Sequence, residues 1–268
     1  MPGGGYSTTD IAVNNGDDSP GDGGSVYSGE NVATIDGTSY TDFTTALNEW
    51  ATAGGTLTLL QDTTISAAVT ITAENAVLDL NGNKLTTSTS KALAFNNANG
   101  TLTIKGTQEG SVYESSASAT VDILAGTVKL ESGKIIAPGN SITGVIYIHK
   151  NSTFIMTGGT VESTKDYALA VKNVSRNTMP TATISGGEVK SAGAAILVGD
   201  DTATLNVNNN AVVGKIVMST KKDSAILNIN GGIIADLEIA SSAKGTVTIA
   251  EAARFKKDID EVLAAKTG

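Results

Sequence analysis

The stretch STFIMTGGTV at residues 152–161 holds the pattern that decides the fold. Apolar and polar residues alternate over its first half, which is the period of a β-strand with one buried side. A glycine pair then interrupts the strand, and a second strand-like run follows. The same arrangement returns as TATISGGEV at residues 181–189 and as AILNINGGII at residues 225–234. A motif that returns along the chain predicts a repeat protein.

One inward-facing aliphatic position can be followed outward from these stretches through most of the chain. Its occupants are Leu80, Ile104, Leu130, Met156, Ile184, Val207, Ile229 and Ile249, with separations of 24, 26, 26, 28, 23, 22 and 20 residues. A coil of two or three short strands joined by tight corners uses about this many residues. We therefore predict an all-β fold, a right-handed parallel β-helix (solenoid) over residues 55–249. With about 4.8 Å between coils, eight or nine coils would form a rod about 40 Å long.

The corners of the predicted coils carry residues that tolerate a positive φ angle. Glycine pairs stand at Gly158–Gly159, Gly186–Gly187 and Gly231–Gly232, and Asn208–Asn209–Asn210 occupies the equivalent place in another coil. Asparagine enters the left-handed region more readily than other residues with a side chain. Stacked asparagines at such corners are expected to form ladders of side-chain amides.

Two helices are predicted to close the ends of the solenoid, where open strand edges would otherwise be exposed. Residues 40–53 show the helical spacing, with Thr41 or Asp42 as the cap at the start and glycine at the end. The apolar face of this helix contains Phe43, Leu47 and Trp50, and Trp50 is predicted to be a core residue.

The second helix is predicted over residues 250–266, with Thr248 and Glu251 as a capping box. Its apolar face would contain Ala252, Phe255, Ile259, Val262 and Leu263. The predicted organisation is thus an N-terminal arm at 1–35, a capping helix at 36–54, the β-helix at 55–249 and a C-terminal capping helix at 250–268.

The N-terminal arm is rich in glycine, aspartate, serine and asparagine, and such a segment cannot bury enough surface to order itself. A few apolar residues are scattered along it, and these are the expected contacts with a partner that orders the arm. They are Tyr6, Ile11, Val13, Val26 and Tyr27.

The composition excludes several classes of function. A net charge of −9 and a pI near 4.6 argue against binding to nucleic acids or anionic membranes, which requires clustered lysine and arginine. No apolar run is long enough to span a bilayer, and the lack of cysteine excludes disulfides, zinc–thiolate sites and thiol nucleophiles. The opening MPGGGYSTTD has no basic and apolar secretory signal, so export by the general secretory route is not expected.

Residues 33–85 run ATIDGTSYTDFTTALNEWATAGGTLTLLQDTTISAAVTITAENAVLDLNGNKL, a small helical cap followed by GTLTLL and LDLNGN strands. This opening resembles that of pectin-lyase-like right-handed β-helices, and the likeness, with the ISGGEV-type repeats, extends over about residues 33–249. The resemblance implies the fold. It does not choose a function, because the superfamily includes lyases, hydrolases, bacterial adhesins and phage virion proteins.

No catalytic set of that superfamily can be matched in full. A lyase needs an arginine or lysine base beside a calcium-binding acidic cluster, and neither Arg176 nor Arg254 is flanked by carboxylates. The pair Asp200–Asp201 resembles the paired aspartates of polygalacturonase-like hydrolases, but the Asn-x-Asp, Gly-His-Gly and Arg-x-Lys signatures are missing. His149, the sole histidine, stands at a strand end and is interpreted as a surface or hydrogen-bonded residue.

Two further binding patterns are weak. In Asn14–Gly24, Asp18 and Asp22 have the spacing of calcium ligands, but Pro20 stands between them, so an acidic linker is favoured. The tyrosines Tyr113, Tyr147 and Tyr167 could line part of one glycan-binding face or could each close a corner. The sequence therefore predicts no catalytic residue, no cofactor and no metal.

Three hypotheses for function remain. The leading one is a non-enzymatic structural protein of a bacteriophage virion, a capsid decoration, head fibre or short tail appendage. Its arm would bind capsid or tail proteins, its rod would contact host-surface glycans, and a homotrimer would bury one flat sheet per subunit. The alternatives are a bacterial cell-surface adhesin and a polysaccharide lyase or hydrolase.

Overall fold

The structure, a computed structural model, describes residues 29–149, 151–172, 179–199, 202–219, 224–260 and 262. One helix, α1 (Phe43–Ala53), stands among short strands. In chain order the strands are β1 Ala33–Ile35, β2 Thr38–Tyr40, β3 Gly55–Leu59, β4 Thr63–Ile65, β5 Val69–Ile71, β6 Asn75–Asp79, β7 Lys84–Thr87, β8 Leu93–Lys105, β9 Val112–Ser115, β10 Val121–Leu130, β11 Lys134–Ala137, β12 Ile146–Ile148, β13 Ser152–Met156, β14 Thr160–Ser163, β15 Leu169–Val171, β16 Thr181–Ser191, β17 Ile196–Val198, β18 Thr204–Met218, β19 Ile226–Ile229, β20 Ile233–Ile239, β21 Thr246–Ile249 and β22 Arg254–Phe255.

The strands form a parallel β-solenoid of about eight turns, which confirms the predicted fold class. Each turn contributes to three faces, and the longer strands bend around a corner from one face to the next. Face 1 contains β3, β6, the ends of β8 and β10, β13, the starts of β16 and β18, β19 and β21. Face 2 contains β4, β7, β9, β11, β14, the end of β16, the middle of β18, the start of β20 and β22. Face 3 contains β5, the starts of β8 and β10, β12, β15, β17 and the ends of β18 and β20.

The core is a stack of aliphatic side chains in register from turn to turn. On face 1 the stacked residues are Leu57, Leu78, Ile104, Leu130, Met156, Ile184, Val207, Ile229 and Ile249. All except Leu57 were predicted, seven of them at the observed position, and the eighth differs by two residues because the partner of Ile104 is Leu78 rather than Leu80. Residues two apart in a strand point to the same side, so the alternation alone could not choose between them. Leu80 is also buried, at the corner that follows β6.

A hairpin and helix α1 close the N-terminal end. Strand β1 pairs antiparallel with β2 and with β3, so residues 33–35 belong to the cap and not to the predicted arm. The helix begins at Phe43 rather than residue 40, because Tyr40 ends β2. Asp42 is the N-cap and accepts a 2.7 Å hydrogen bond from the backbone N–H of Thr45.

Trp50 is confirmed as a core residue. Its side chain is fully buried, and Nε1 donates a 3.0 Å hydrogen bond to the backbone oxygen of Gly55. The indole therefore joins the capping helix to the first strand of face 1.

The C-terminal end differs from the prediction. Residues 251–253 form a turn and Arg254–Phe255 forms β22, which continues face 2 beside β20. Helical residues are described only at Asp260 and Val262, so the predicted helix does not begin at residue 250. Thr248 lies in β21 and does not cap a helix. The strand pairing with β20 overrode the helical spacing of Ala252, Phe255 and Ile259.

The glycine corners behave as predicted, whereas Asn208, Asn209 and Asn210 lie within β18 without a positive φ. Gly159 and Gly187 stack with φ angles of 75° each, and a Cβ on Gly187 would overlap the carbonyl oxygen of Gly159. The asparagine ladder is also present, since Asn208 Nδ2 donates to Ser185 Oγ at 2.9 Å and Asn230 Nδ2 donates to Asn208 Oδ1 at 3.0 Å. The corners therefore constrain how closely the turns can stack.

We expect Gly187→Ala to lower the free energy of unfolding by about 2 to 4 kcal/mol, because it adds a clash with the turn below to the cost of a positive φ. The new methyl would also lie 2.7 Å from Met156 Cε. Gly37→Ala is the matched control, because Gly37 has a φ of 87° but open space where a Cβ would be. Denaturant unfolding measures both, and equal losses would contradict the role given to stacking.

Candidate functional site

Several residues singled out from the sequence lie outside the described residues, so the structure does not place them. They are the arm residues Tyr6, Ile11, Val13, Val26 and Tyr27, the stretch Asn14–Gly24, Arg176, and the pair Asp200–Asp201.

Arg254 lies in β22 and not in a terminal helix. Its Nη1 donates hydrogen bonds to the backbone oxygens of Glu251 at 2.7 Å and Ala253 at 3.1 Å. These contacts hold the turn that precedes β22, which is a structural role.

The three tyrosines do not line one face. Tyr113 points into the solenoid and is fully buried, and this burial raises the pKa of its phenol. Tyr147 lies on the outer side of face 3 and is only 4% exposed. Tyr167 lies at the corner before β15 and is half-buried. Of the two alternatives, a shared aromatic face is therefore excluded, and of the three only Tyr167 lies at a corner.

His149 takes part in a charged cluster around the buried Asp122 on the outer side of face 3. Three successive turns contribute to it: Lys91 precedes β8, Asp122 lies in β10 opposite Tyr147 in β12, and His149 directly follows β12. Asp122 Oδ1 lies 2.6 Å from His149 Nε2, and Asp122 Oδ2 lies 3.0 Å from Lys91 Nζ. The interpretation of His149 as a hydrogen-bonded residue is confirmed.

The Tyr147 ring packs against both partners of Asp122 in this cluster. The ring centroids of Tyr147 and His149 are 4.0 Å apart, and Lys91 Nζ lies 5.2 Å from the Tyr147 centroid. A lysine at this distance is attracted by the face of the ring. The cluster therefore joins three turns through one carboxylate and one aromatic ring.

Two opposing effects set the charge of Asp122. Burial raises the pKa of its carboxyl, but the hydrogen bonds and charges of His149 and Lys91 outweigh burial and hold this pKa below its ordinary value. Asp122 is consequently an anion whose two oxygens are both occupied. In this arrangement it orients the imidazole and neutralises the lysine.

Sequence reasoning missed Lys91 and Asp122. The separations of 31 residues between Lys91 and Asp122 and 27 between Asp122 and His149 are close to one turn each. These spacings can be recognised as contacts only when the register of face 3 is known.

The outer side of face 2 carries ion pairs between neighbouring turns. Lys84 Nζ lies 2.5 Å from Glu114, Lys134 Nζ lies 2.7 Å from Glu162, and Lys190 Nζ lies 3.6 Å from the same Glu162. The hydrogen bond from Lys134 lowers the pKa of Glu162 in spite of partial burial. These carboxylates are paired with lysines across the stack.

Two open clefts lie at equivalent corners beside face 2. One, of about 460 Å³, is lined by Glu162, Ser163, Thr164, Lys190, Ser191 and Ala192. The other, of about 310 Å³, is lined by Thr64, Lys84, Thr86, Thr87, Ser88, Glu114 and Ser116. Each combines carboxylate and lysine side chains with several hydroxyls, which suits hydrogen bonding to a polar ligand such as a sugar.

Within the described ranges, no three histidine, aspartate or glutamate side chains are placed to hold a metal ion. Among those same residues, no helix is both long and apolar enough to cross a membrane.

Comparison with known proteins assigns no family. No protein-family model matches the chain, and no significant match is found among curated proteins or solved structures.

We expect Asp122→Asn to lower the free energy of unfolding by about 2 to 4 kcal/mol near pH 5, because it leaves Lys91 and His149 without the buried carboxylate that both contact. The folded-state pKa of Asp122 is lowered, so its stabilising contribution exists above the unfolded-state pKa and is lost as the pH falls through the folded-state value. The difference between wild type and variant should therefore shrink below about pH 4. Urea unfolding at several pH values measures it.

Glu114→Gln is the control for this experiment. Glu114 and its partner Lys84 have side chains that are 45% and 44% exposed, so we expect a loss below about 1 kcal/mol. If Glu114→Gln lowered the free energy of unfolding as much as Asp122→Asn, burial of Asp122 would not explain the effect of its substitution.

Proposed function

We propose that this chain is a non-enzymatic structural protein of a bacteriophage virion, a capsid decoration, head fibre or short tail appendage. The observation that carries the proposal is the uninterrupted parallel solenoid of about eight turns. Such a rod, about 40 Å long, can hold a contact surface away from the particle to which its arm is bound.

The rod is expected to be stiff. Neighbouring turns are joined by backbone ladders on three faces, by amide ladders at one corner and by ion pairs on face 2. Bending the rod would break several of these contacts at once. Stiffness of this kind favours a spacer or a projecting appendage.

The charge distribution supports anchoring through the N-terminal end. Residues 1–83 contain 11 aspartates and glutamates and no lysine or arginine, so all 18 basic residues and the other 16 of 27 acidic residues follow residue 83. The partner is therefore proposed to be a basic surface of a capsid or tail protein. A homotrimer at such a site remains part of this proposal.

If the proposal is correct, gold-labelled antibodies against the rod will decorate purified phage particles of the source organism in electron micrographs. A label confined to the cell envelope would instead support the second candidate, a bacterial cell-surface adhesin. The clefts beside face 2 favour contact with a glycan in either setting. Absence of label from particles would refute the virion proposal.

The proposed anchor also predicts a salt effect. Raising the salt concentration from about 0.1 to 1 M shortens the screening length from about 10 to 3 Å and should release the protein from particles. Immunoblots of washed, pelleted particles measure the retained fraction. Full retention at high salt would contradict an anchor held by charge.

A further inference from the structure

The outer side of face 1 differs from the rest of the surface in carrying almost no charge over its C-terminal half. The five strand segments β13, the start of β16, the start of β18, β19 and β21 present two outward residues each, ten in all. These are six threonines, two asparagines and two isoleucines. Over the same turns face 2 presents Glu162, Glu188, Lys190 and Arg254.

Depletion of charge is the compositional mark of the centre of a protein–protein interface. Face 1 also exposes isoleucine, with Ile155 partly exposed and Ile226 37% exposed. Face 3 differs, because its outward residues Tyr147, Ala170 and Leu197 are at most 6% exposed within the single chain and its outward Glu238 is charged. Among the described residues, face 1 is the face whose outward side chains are both accessible and uncharged over the C-terminal half.

The asparagines of face 1 are already hydrogen-bonded within the chain. Asn206 Nδ2 donates to Thr183 Oγ1 at 3.3 Å, and Asn228 Nδ2 donates to Asn206 Oδ1 at 2.9 Å. Covering a polar group costs least when its hydrogen bonds are satisfied beforehand. The amide ladder therefore lowers the desolvation cost of burying this face.

We propose that face 1 is the surface through which copies of this chain associate. Its nine strands, about 4.8 Å apart and about 17 Å wide, offer about 700 Å² per copy. Two such surfaces bury about 1,400 Å², which lies in the range of stable specific interfaces. Of the three charged outward residues in its N-terminal half, Asp79 and Lys105 pair with each other at 3.3 Å, which leaves Lys129.

The copies associate in parallel, with their arms at the same end. This orientation, unlike the association itself, rests on the proposed function. It also brings Lys129 of one copy to the level of Glu131 of its neighbour, where the two charges are complementary.

Sedimentation velocity of the full-length protein tests the proposal. The wild type should sediment as an oligomer, and Ile155→Lys should raise the dissociation constant by about 30-fold or more by placing a charge at the centre of the interface. Ile136→Lys is the matched control on face 2, where the new lysine would lie between Glu114 and Glu162 of the adjacent turns. It should leave the oligomer intact.

Circular dichroism and thermal unfolding establish that each variant is folded, and Thr204→Lys on face 1 replaces Ile155→Lys if the latter unfolds. A monomeric wild type, or an oligomer that survives both face 1 variants, would overturn the proposal. So would a monomer that binds an extended polysaccharide and loses that binding in Ile155→Lys, which would make face 1 a ligand surface. None of these results depends on phage particles, so the virion proposal can fail while self-association stands.

Discussion

The in-register stacking of one aliphatic position from turn to turn is the constraint on which the structure depends. Inward residues of face 1 such as Ile104, Leu130 and Met156 pack directly on their counterparts in the next turn and are fully buried. A shift of one residue in any strand would turn its apolar side chains to solvent. The register of the core therefore fixes which residues meet on the outer surface.

The outer surface inherits its organisation from this register. Asparagines stack on asparagines and serines at one corner, and glycines stack where the chain turns sharply. On face 2, lysines form ion pairs with glutamates of neighbouring turns. The cluster of Lys91, Asp122 and His149 also results from stacking, because its members come from three successive turns. Polar contacts here add specificity to a stack whose main stabilisation is apolar burial.

The three faces also differ in the charge and exposure of their outward residues, and therefore in the contacts that they can make. Face 2 is charged and bordered by clefts, face 3 buries the outward side chains of Tyr147, Ala170 and Leu197, and face 1 presents hydroxyls, amides and isoleucines over its C-terminal half. A repeat protein can in this way keep one core and vary its outward residues by face. The functional proposals follow that division, with the acidic N-terminal end as a fourth distinct surface.

The sequence by itself determined the solenoid, its aliphatic core, its glycine and asparagine corners and the capping helix that carries Trp50. These features rest on local periodicity and turn chemistry, which a single strand or helix already displays. Only the tertiary structure decided that Leu78 and not Leu80 stacks on Ile104, that residues near Arg254 pair with β20 instead of beginning a helix, and that Asp122 meets His149. The reason is that alternation repeats every two residues and the turns vary from 20 to 28 residues in length, so contacts between turns depend on a register that no local pattern specifies.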